Sequence, residues 1–413
     1  MTNKINLIFT FIFLSAGQIS ISQSNSNNLS SSPYSLYGLG LSNDISTGKT
    51  NGLGKTGIAI PSNTLINNLN PASFAAVPKG SFLFDIGIKA ERETLFENGK
   101  IEPKFNANFS NIAIAFPITK NSGFGLTLIP FTNVGYSISG VETGIDGSTD
   151  TFLSDINGSG GLNDLKLNFG YSINDKIRLG LSGSYLFGII KEEEINTINE
   201  SILNISEESY YNGFRLGIGL QYKLNDKISI GGIVNLPTYL SGSQTRTVIV
   251  NGDEPNETED NLESFKLPLE MGFGLQAKLN EKLYFNIDYK KNFWDTTNQS
   301  DFIGDYVDQD FIGFGAEFTP ERNSTNYWQR INYRAGFNMD NGNLAIKDER
   351  VTNYALNIGL GLPINTRRHS SFNLGYAYGQ KGQVTNSLIK ENYHTLTLNF
   401  SLEDLWFVKR KIN

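Results

Sequence analysis

The chain has 413 residues, no cysteine, 34 basic and 41 acidic side chains and a formal net charge of −7. Without cysteine there is neither a disulfide framework nor a thioether site for a lipid anchor, and without a basic stripe there is no electrostatic footprint for nucleic acid. A slightly negative mean hydropathy excludes a bundle of membrane helices, each of which needs roughly 20 apolar residues, but not a barrel, whose wet face dilutes its apolar one.

In chain order, the first apolar run covers residues 7–16, with Lys4 ahead of it and the small residues Ser20 and Ser22 behind. That order predicts a secretory signal peptide over 1–22, cleaved between Ser22 and Gln23. Residues 24–32 are a Ser/Asn tract, and 33–78 are glycine-rich and lack strand-like alternation. From residue 81 onward alternating segments follow one another: 81–93, 105–118, 123–140, 164–173, 177–192, 211–223, 228–250, 264–278, 283–292, 311–318, 331–338, 354–362, 372–379 and 393–407. The predicted fold class is all-β, a transmembrane antiparallel β-barrel of about 14 strands, an even number as single-chain bacterial barrels require. It is expected to occupy 79–413, with 23–78 folding inside its lumen as a plug.

Three connections are nearly the same tripeptide: Asn174-Asp175-Lys176, Asn225-Asp226-Lys227 and Asn280-Glu281-Lys282. After the first, Ile177, Leu179, Leu181, Gly183, Tyr185, Phe187 and Ile189 share one face. Arg178, Gly180, Ser182, Ser184 and Gly188 share the other, and Leu186 is the exception. A period of two places these sets on opposite faces of a strand. A small or polar second face suits a wall between lipid and a wet lumen, whereas a soluble sandwich presents apolar residues to a second sheet. The stretches 141–163, 251–263 and 339–353 are longer and more polar, and are expected to be loops. Short turns on one rim and long loops on the other predict periplasmic Asn-Asp-Lys turns, and put both mature termini in the periplasm. In the last segment His394, Leu396, Leu398, Phe400 and Leu402 alternate with Thr395, Thr397, Asn399, Ser401 and Glu403, and Trp406 and Phe407 follow as interfacial aromatics.

Catalysis finds little support. The two histidines, His369 in a turn and His394 on the lipid-facing side, are not placed for a Ser-His-acid relay. No G-x-S-x-G element joins a strand to a helix. Acidic stretches at 253–260 and 305–310 read as solvated loops rather than metal sites. No cofactor and no metal site are expected. The lumen face carries Lys166, Arg178, Arg215 and Arg334 against Asp85, Asp288 and Glu403. A basic residue among them is able to meet a ligand carboxylate, but mutual pairing and pairing with the plug are the more economical expectation. Pro130 gives no ladder hydrogen bond and should open the third strand, with Gly135 allowing a bend; a harmless rim proline is the alternative, since Pro237 and Pro268 also lie in or near strands.

The region ahead of the barrel reads Ser-Pro-Tyr-Ser-Leu-Tyr-Gly-Leu-Gly over 32–40 and contains Asn70-Pro71-Ala72 shortly before the first strand. On that N-P-A tripeptide, on the 130–136 stretch Pro-Phe-Thr-Asn-Val-Gly-Tyr, and on the 333–336 and 359–363 stretches, the chain resembles the FadL family of outer-membrane transporters for long-chain fatty acids and other hydrophobic compounds, with their TodX-like relatives. Residues 32–40 look like a Bacteroidetes-type subgroup. The resemblance implies capture of a hydrophobic small molecule at an outer groove, a shift of the plug near Asn70, and passive exit into the outer-membrane lipid through a gap at the third strand. It implies a monomer working without cofactor. The alternative is a non-transporting barrel subunit or shuttle of an outer-membrane secretion or assembly complex. That role predicts a lumen sealed by the plug and apolar outer loops, whereas these loops are mostly Asn, Asp, Thr and Ser.

Overall fold

The computed structural model describes residues 30–43, 46–97, 99–144, 151–198, 201–300, 304–364, 369–385 and 388–405. The predicted signal peptide, and Trp406 and Phe407 with the tail behind them, lie outside these. Ahead of the wall come a two-residue strand, β1 (Leu41–Ser42), and 3-10 turns at Pro33–Leu36, Gly48–Gly52 and Pro71–Ala76. The wall runs through β2 (Ser81–Glu97), β3 (Lys100–Pro117), β4 (Ser122–Pro130), β5 (Thr132–Gly144), β6 (Thr151–Ser172), β7 (Ile177–Ile198) and β8 (Ser201–Lys223). It continues with β9 (Ile228–Asn235), β10 (Thr238–Val250), β11 (Asn256–Leu267), β12 (Glu270–Lys278) and β13 (Leu283–Asn292). Beyond β14 (Asp305–Tyr306) come β15 (Gln309–Phe318), a helical turn α1 (Tyr327–Arg330), β16 (Asn332–Asp340), β17 (Leu344–Ile346) and β18 (Glu349–Arg350). The chain ends on β19 (Asn353–Pro363), β20 (Ser371–Lys381) and β21 (Lys390–Leu405). Strands β14, β17 and β18 form a small separate sheet.

Neighbouring wall strands pair antiparallel, and β21 closes on β2 in a ladder from Ser81 opposite Leu405 to Phe96 opposite Lys390. β4 with β5, β9 with β10, and β11 with β12 are each one strand interrupted, so the wall is a closed 14-strand antiparallel barrel. Closure removes the edges that lipid cannot hydrogen-bond.

Alternation explains the two surfaces. The outward set includes Phe214 at 76% exposure, Phe273 at 70% and Leu356 at 62%, together with Leu181, Leu216 and Ile358. A continuous apolar surface of this extent marks a membrane belt. The inward set is polar and buried, for example Asn168, Gln221, Asn286, Asn373 and Asn399. Some of its members satisfy one another: Asn399 Nδ2 donates to Asp85 Oδ1 at 2.8 Å and to Asn111 Oδ1 at 2.7 Å, and Asn111 Nδ2 donates to Asp85 Oδ1 at 2.6 Å.

The repeated tripeptides build one turn three times. In each, the Asn carboxamide oxygen accepts from the backbone N–H groups two and three residues on, Lys176 and Ile177 (both 2.9 Å), Lys227 and Ile228 (2.8 and 2.9 Å), and Lys282 and Leu283 (2.9 and 3.0 Å). Asn is therefore required for its side chain, which copies a backbone turn. At the other rim the expectation of loops needs correction. β6 begins at Thr151 and β11 at Asn256, so much of 141–163 and 251–263 is strand. These hairpins rise beyond the apolar belt, where both faces meet water and the sequence loses the alternation that announces a strand.

Candidate functional site

The segment from Ser30 to Val77 lies against lumen-facing residues along the height of the barrel. At the rim of long hairpins Tyr34 packs with Leu344, Ile346, Val351 and Leu388, and its hydroxyl donates to Ile389 O at 2.6 Å. Burial pushes that hydroxyl well above its ordinary pKa. At the rim of short turns Phe74, fully buried, clusters with Ile66, Val77, Leu83, Ala113 and Ala115.

Asn70 is the N-cap of the Pro71–Ala76 turn and accepts from Ala72 N at 3.0 Å. Its amide also donates to Ile58 O at 2.9 Å and to the wall carbonyl of Leu220 at 3.0 Å, with Gly232 O at 3.4 Å. Pro71 starts the turn with its fixed φ, and Ala72 fits because the wall there is glycine: a Cβ on Gly180 would stand 2.1 Å from Ala72 N, and one on Gly219 2.1 Å from Asn70 Oδ1. Asp288 reaches in from β13 to accept from Gly57 N (2.6 Å) and Ile58 N (2.9 Å). Gln221 donates to the carbonyls of Ile58 and Ile60.

Of the basic residues singled out from sequence, Arg215 and Arg334 are hydrogen-bonded to protein. Arg334 donates through Nε to Glu317 at 2.8 Å and through a terminal nitrogen to Asn373 Oδ1 at 2.7 Å, and Lys49 adds positive charge beside Glu317. Arg215 donates to Leu236 O at 3.1 Å and Pro268 O at 2.7 Å, carbonyls next to the interruptions of the seventh and eighth strands, and stands 3.8 Å from Glu270. Lys166 lies between Asp164 and Glu270. Arg178 is half-buried near the turn rim, one residue past Ile177. Glu403, expected in the lumen, lies at the turn rim, where it accepts from Ser81 Oγ and pairs with His369 Nδ1 at 2.9 Å. His394 meets the Tyr376 hydroxyl. Among the described residues no serine hydroxyl is hydrogen-bonded to either histidine, and no group of three metal-ligating side chains forms.

The third wall strand is broken between Pro130 and Thr132. β4 pairs with β3 only from Ile112 opposite Leu128 to Pro117 opposite Gly123. Past the break, Thr132, Asn133, Val134, Gly135 and Tyr136 are all buried, which a strand with one face in lipid cannot achieve. This part of β5 has turned inward. Its edge is taken by β1, with Leu41 opposite Asn133 and Ser42 opposite Thr132, and by Asn43 N–H donating to Phe131 O. Among the described residues no ladder covers the second edge of β3 beyond Ile112, so a gap separates β3 from β5. Ser30 and Ser31 lie in it: a Cβ on Gly135 would stand 1.9 Å from Ser30 O, and Asn106 Nδ2 reaches Ser31 Oγ at 3.5 Å.

Gly135 thus serves close approach, whereas on β6 opposite, Gly160 (φ +106°) and Gly161 (φ +142°) are in the left-handed region. A Cβ on Gly161 would stand 2.3 Å from Thr132 O. Sequence reasoning missed this pair because it fell in a stretch read as loop; adjacent glycines opposite a strand proline were the available signal.

Two cavities lie in the half of the lumen toward the long hairpins. The first, about 210 Å³, is lined by both lips of the gap (Asn108, Phe109, Pro130, Asn133) and by Asn43, Lys89, Glu91 and Asn357. The second, about 180 Å³, has a charged floor of Asp164, Lys166, Arg215 and Glu270 under Leu39, Leu186, Phe265, Leu267 and Trp294. Leu186, the exception to the alternation of its strand, is fully buried in that apolar cluster.

The closed 14-strand antiparallel barrel has the fold of the outer-membrane hydrocarbon channels. The chain is similar to the CymD monoaromatic hydrocarbon channel (TM-score 0.63, 16% identity, 88% of this chain and 99% of that one). It is also similar to the P. putida toluene transporter TodX (0.63, 15%, 89% and 100%) and a Pseudomonas aeruginosa FadL homologue (0.59, 12%, 88% and 99%). These neighbours are channels and transporters, not enzymes. By sequence the chain belongs to the BamG family, whose model matches residues 1–413. No curated protein matches the sequence.

Proposed function

We propose that the protein is an outer-membrane channel in which small hydrophobic or amphiphilic molecules pass, without energy input, between the loop-side chamber and the lipid through the gap separating β3 from β5. The observation that carries this is the run of five buried residues at the start of β5, which leaves one edge of β3 uncovered at membrane depth. Asn70, Pro71 and Ala72 then anchor the plug and close the axial route, and Arg215 and Arg334 hold the wall rather than a substrate carboxylate, with Arg178 near the turn rim. The short turns face the periplasm, and the protein acts as a monomer.

The test tethers the gap. Ser31→Cys with Asn106→Cys, joined by a short bifunctional reagent in a chain otherwise free of cysteine, is expected to reduce uptake of labelled toluene and of a labelled fatty acid to that of cells lacking the protein. Uptake unchanged by the tether would sink lateral passage, and loss for one compound only would fix the substrate class.

Membership of the BamG family and the closed turn-side half of the lumen favour a second reading, a non-transporting subunit or shuttle of an outer-membrane secretion or assembly complex. Under it the tether leaves uptake unaltered, and mild detergent extraction of the tagged chain recovers a stoichiometric outer-membrane partner. A monodisperse monomer after such extraction counts against it.

A further inference from the structure

The loop-side chamber beside the gap is not walled like an apolar tunnel. Four carboxamides stand in its wall, Asn43, Asn108, Asn133 and Asn357. Each uses one end on protein: Asn133 Nδ2 donates to Asn43 Oδ1 at 3.0 Å, Asn108 Oδ1 accepts from Phe109 N at 2.8 Å, and Asn357 Nδ2 donates to Asn338 Oδ1 at 2.8 Å. The other ends, Asn43 Nδ2, Asn108 Nδ2, Asn133 Oδ1 and Asn357 Oδ1, are buried without a partner. Two donors and two acceptors are thereby left unpaired in residues that line one cavity, and a buried amide end left unpaired is costly.

The chemistry of the complement follows. A hydroxyl gives and accepts at once and satisfies both kinds. A carboxylate or phosphate only accepts; it would leave Asn133 and Asn357 unmet. The nearby cations are also engaged, Lys89 with Glu91 at 3.8 Å and Lys381 with Glu391 at 3.2 Å. An alkyl chain satisfies none of the four, but it matches the apolar side chains at the lips of the gap, Phe109 and Pro130.

We propose that this chamber binds an uncharged polyhydroxylated head, a sugar or polyol, taken either free or joined to an acyl chain that lies in the gap. The acyl-linked case rests on the lateral-passage reading; the free case does not.

The probes are maltose, dodecyl maltoside and dodecanoate, titrated calorimetrically into the full-length protein in nanodiscs prepared without sugar detergents. Dodecyl maltoside is expected to bind more tightly than maltose, and Asn133→Ala and Asn357→Ala each to weaken both sugar compounds by about tenfold, while dodecanoate is unaffected. If either variant fails to give a folded barrel, Asn108→Leu replaces it, since the Asn108 side chain bonds to the adjacent backbone N–H of Phe109. Binding of neither sugar compound, dodecanoate binding as tightly as dodecyl maltoside, or sugar binding untouched by every variant would overturn the proposal. The Ser31–Asn106 tether separates the two readings. Maltose bound as before with dodecyl maltoside weakened to the level of maltose supports both. Both sugar compounds bound as in the untethered protein keeps the head site and removes lateral access.

Discussion

Asn70 shows how much one side chain carries at the residue scale. Its oxygen caps a turn of the lumenal segment, and its nitrogen ties that turn to Ile58 and to the barrel wall at Leu220. Asn70→Asp keeps the cap, removes the donors to Ile58 O and Leu220 O and places a carboxylate against those oxygens. Losing buried hydrogen bonds in this way costs about 1–3 kcal/mol, so faster hydrogen exchange is expected over 57–60 and 70–76, with the wall strands unchanged. Exchange as slow as in the wild type would show that the segment is held by shape alone. Gly180→Ala approaches the same contact from the wall. Its Cβ would meet Ala72 N, and overpacking of this kind costs about 1–3 kcal/mol. The charges show where sequence stops informing at this scale. Arg215 and Arg334 are readable as inward-facing from the alternation, but their partners are not. Arg215 answers carbonyls freed by interruptions in two other strands, and Arg334 answers a carboxylate one strand away.

Among the elements, hairpins with a short turn were the most legible part of the chain. A strand with one face in lipid and one in a polar lumen declares itself by period two, and an Asn-Asp-Lys turn declares its own geometry. The long hairpins were less so, because above the belt both faces meet water. The third strand was half legible: Pro130 marks the break, but what holds the inward turn is the pairing of β1 with β5 and the close approach of Gly161 to Thr132. Pro130→Ala is therefore expected to leave the break in place, with Thr132–Tyr136 as protected from exchange as before. Gly161→Val should disturb it, because the added side chain meets the Thr132 carbonyl. A new ladder between β3 and β5 in the Pro130→Ala protein, seen as slow exchange over 105–111, would make the proline the cause instead. The interruptions at Pro237 and Pro268 differ in being bridged. Arg215→Met removes charge-assisted bonds to both neighbouring carbonyls, worth about 1.5–3 kcal/mol each, and is expected to lower the midpoint of the heat-induced mobility shift and expose 236–239 to protease.

For the whole molecule, the wall and the lumenal segment are separable in principle. The ladder joining β2 to β21 closes the barrel without any residue from 30–77, and strand-to-strand hydrogen bonds rather than lumen contents satisfy the wall's backbone in lipid. The segment, by contrast, leans on the wall. Its turns lie on wall glycines, and its backbone N–H groups at Gly57 and Ile58 are met by a wall carboxylate, Asp288. Deleting 46–77 is thus expected to leave a barrel that still shows heat-dependent mobility but conducts ions in stepwise openings across a planar bilayer, where the intact protein is silent. Asp288→Ala, which frees one anchor of the segment, should give brief openings between these extremes. Steady conductance from the intact protein would mean that water already runs past the segment, and both the closed axial route and the need for a lateral one would fall together.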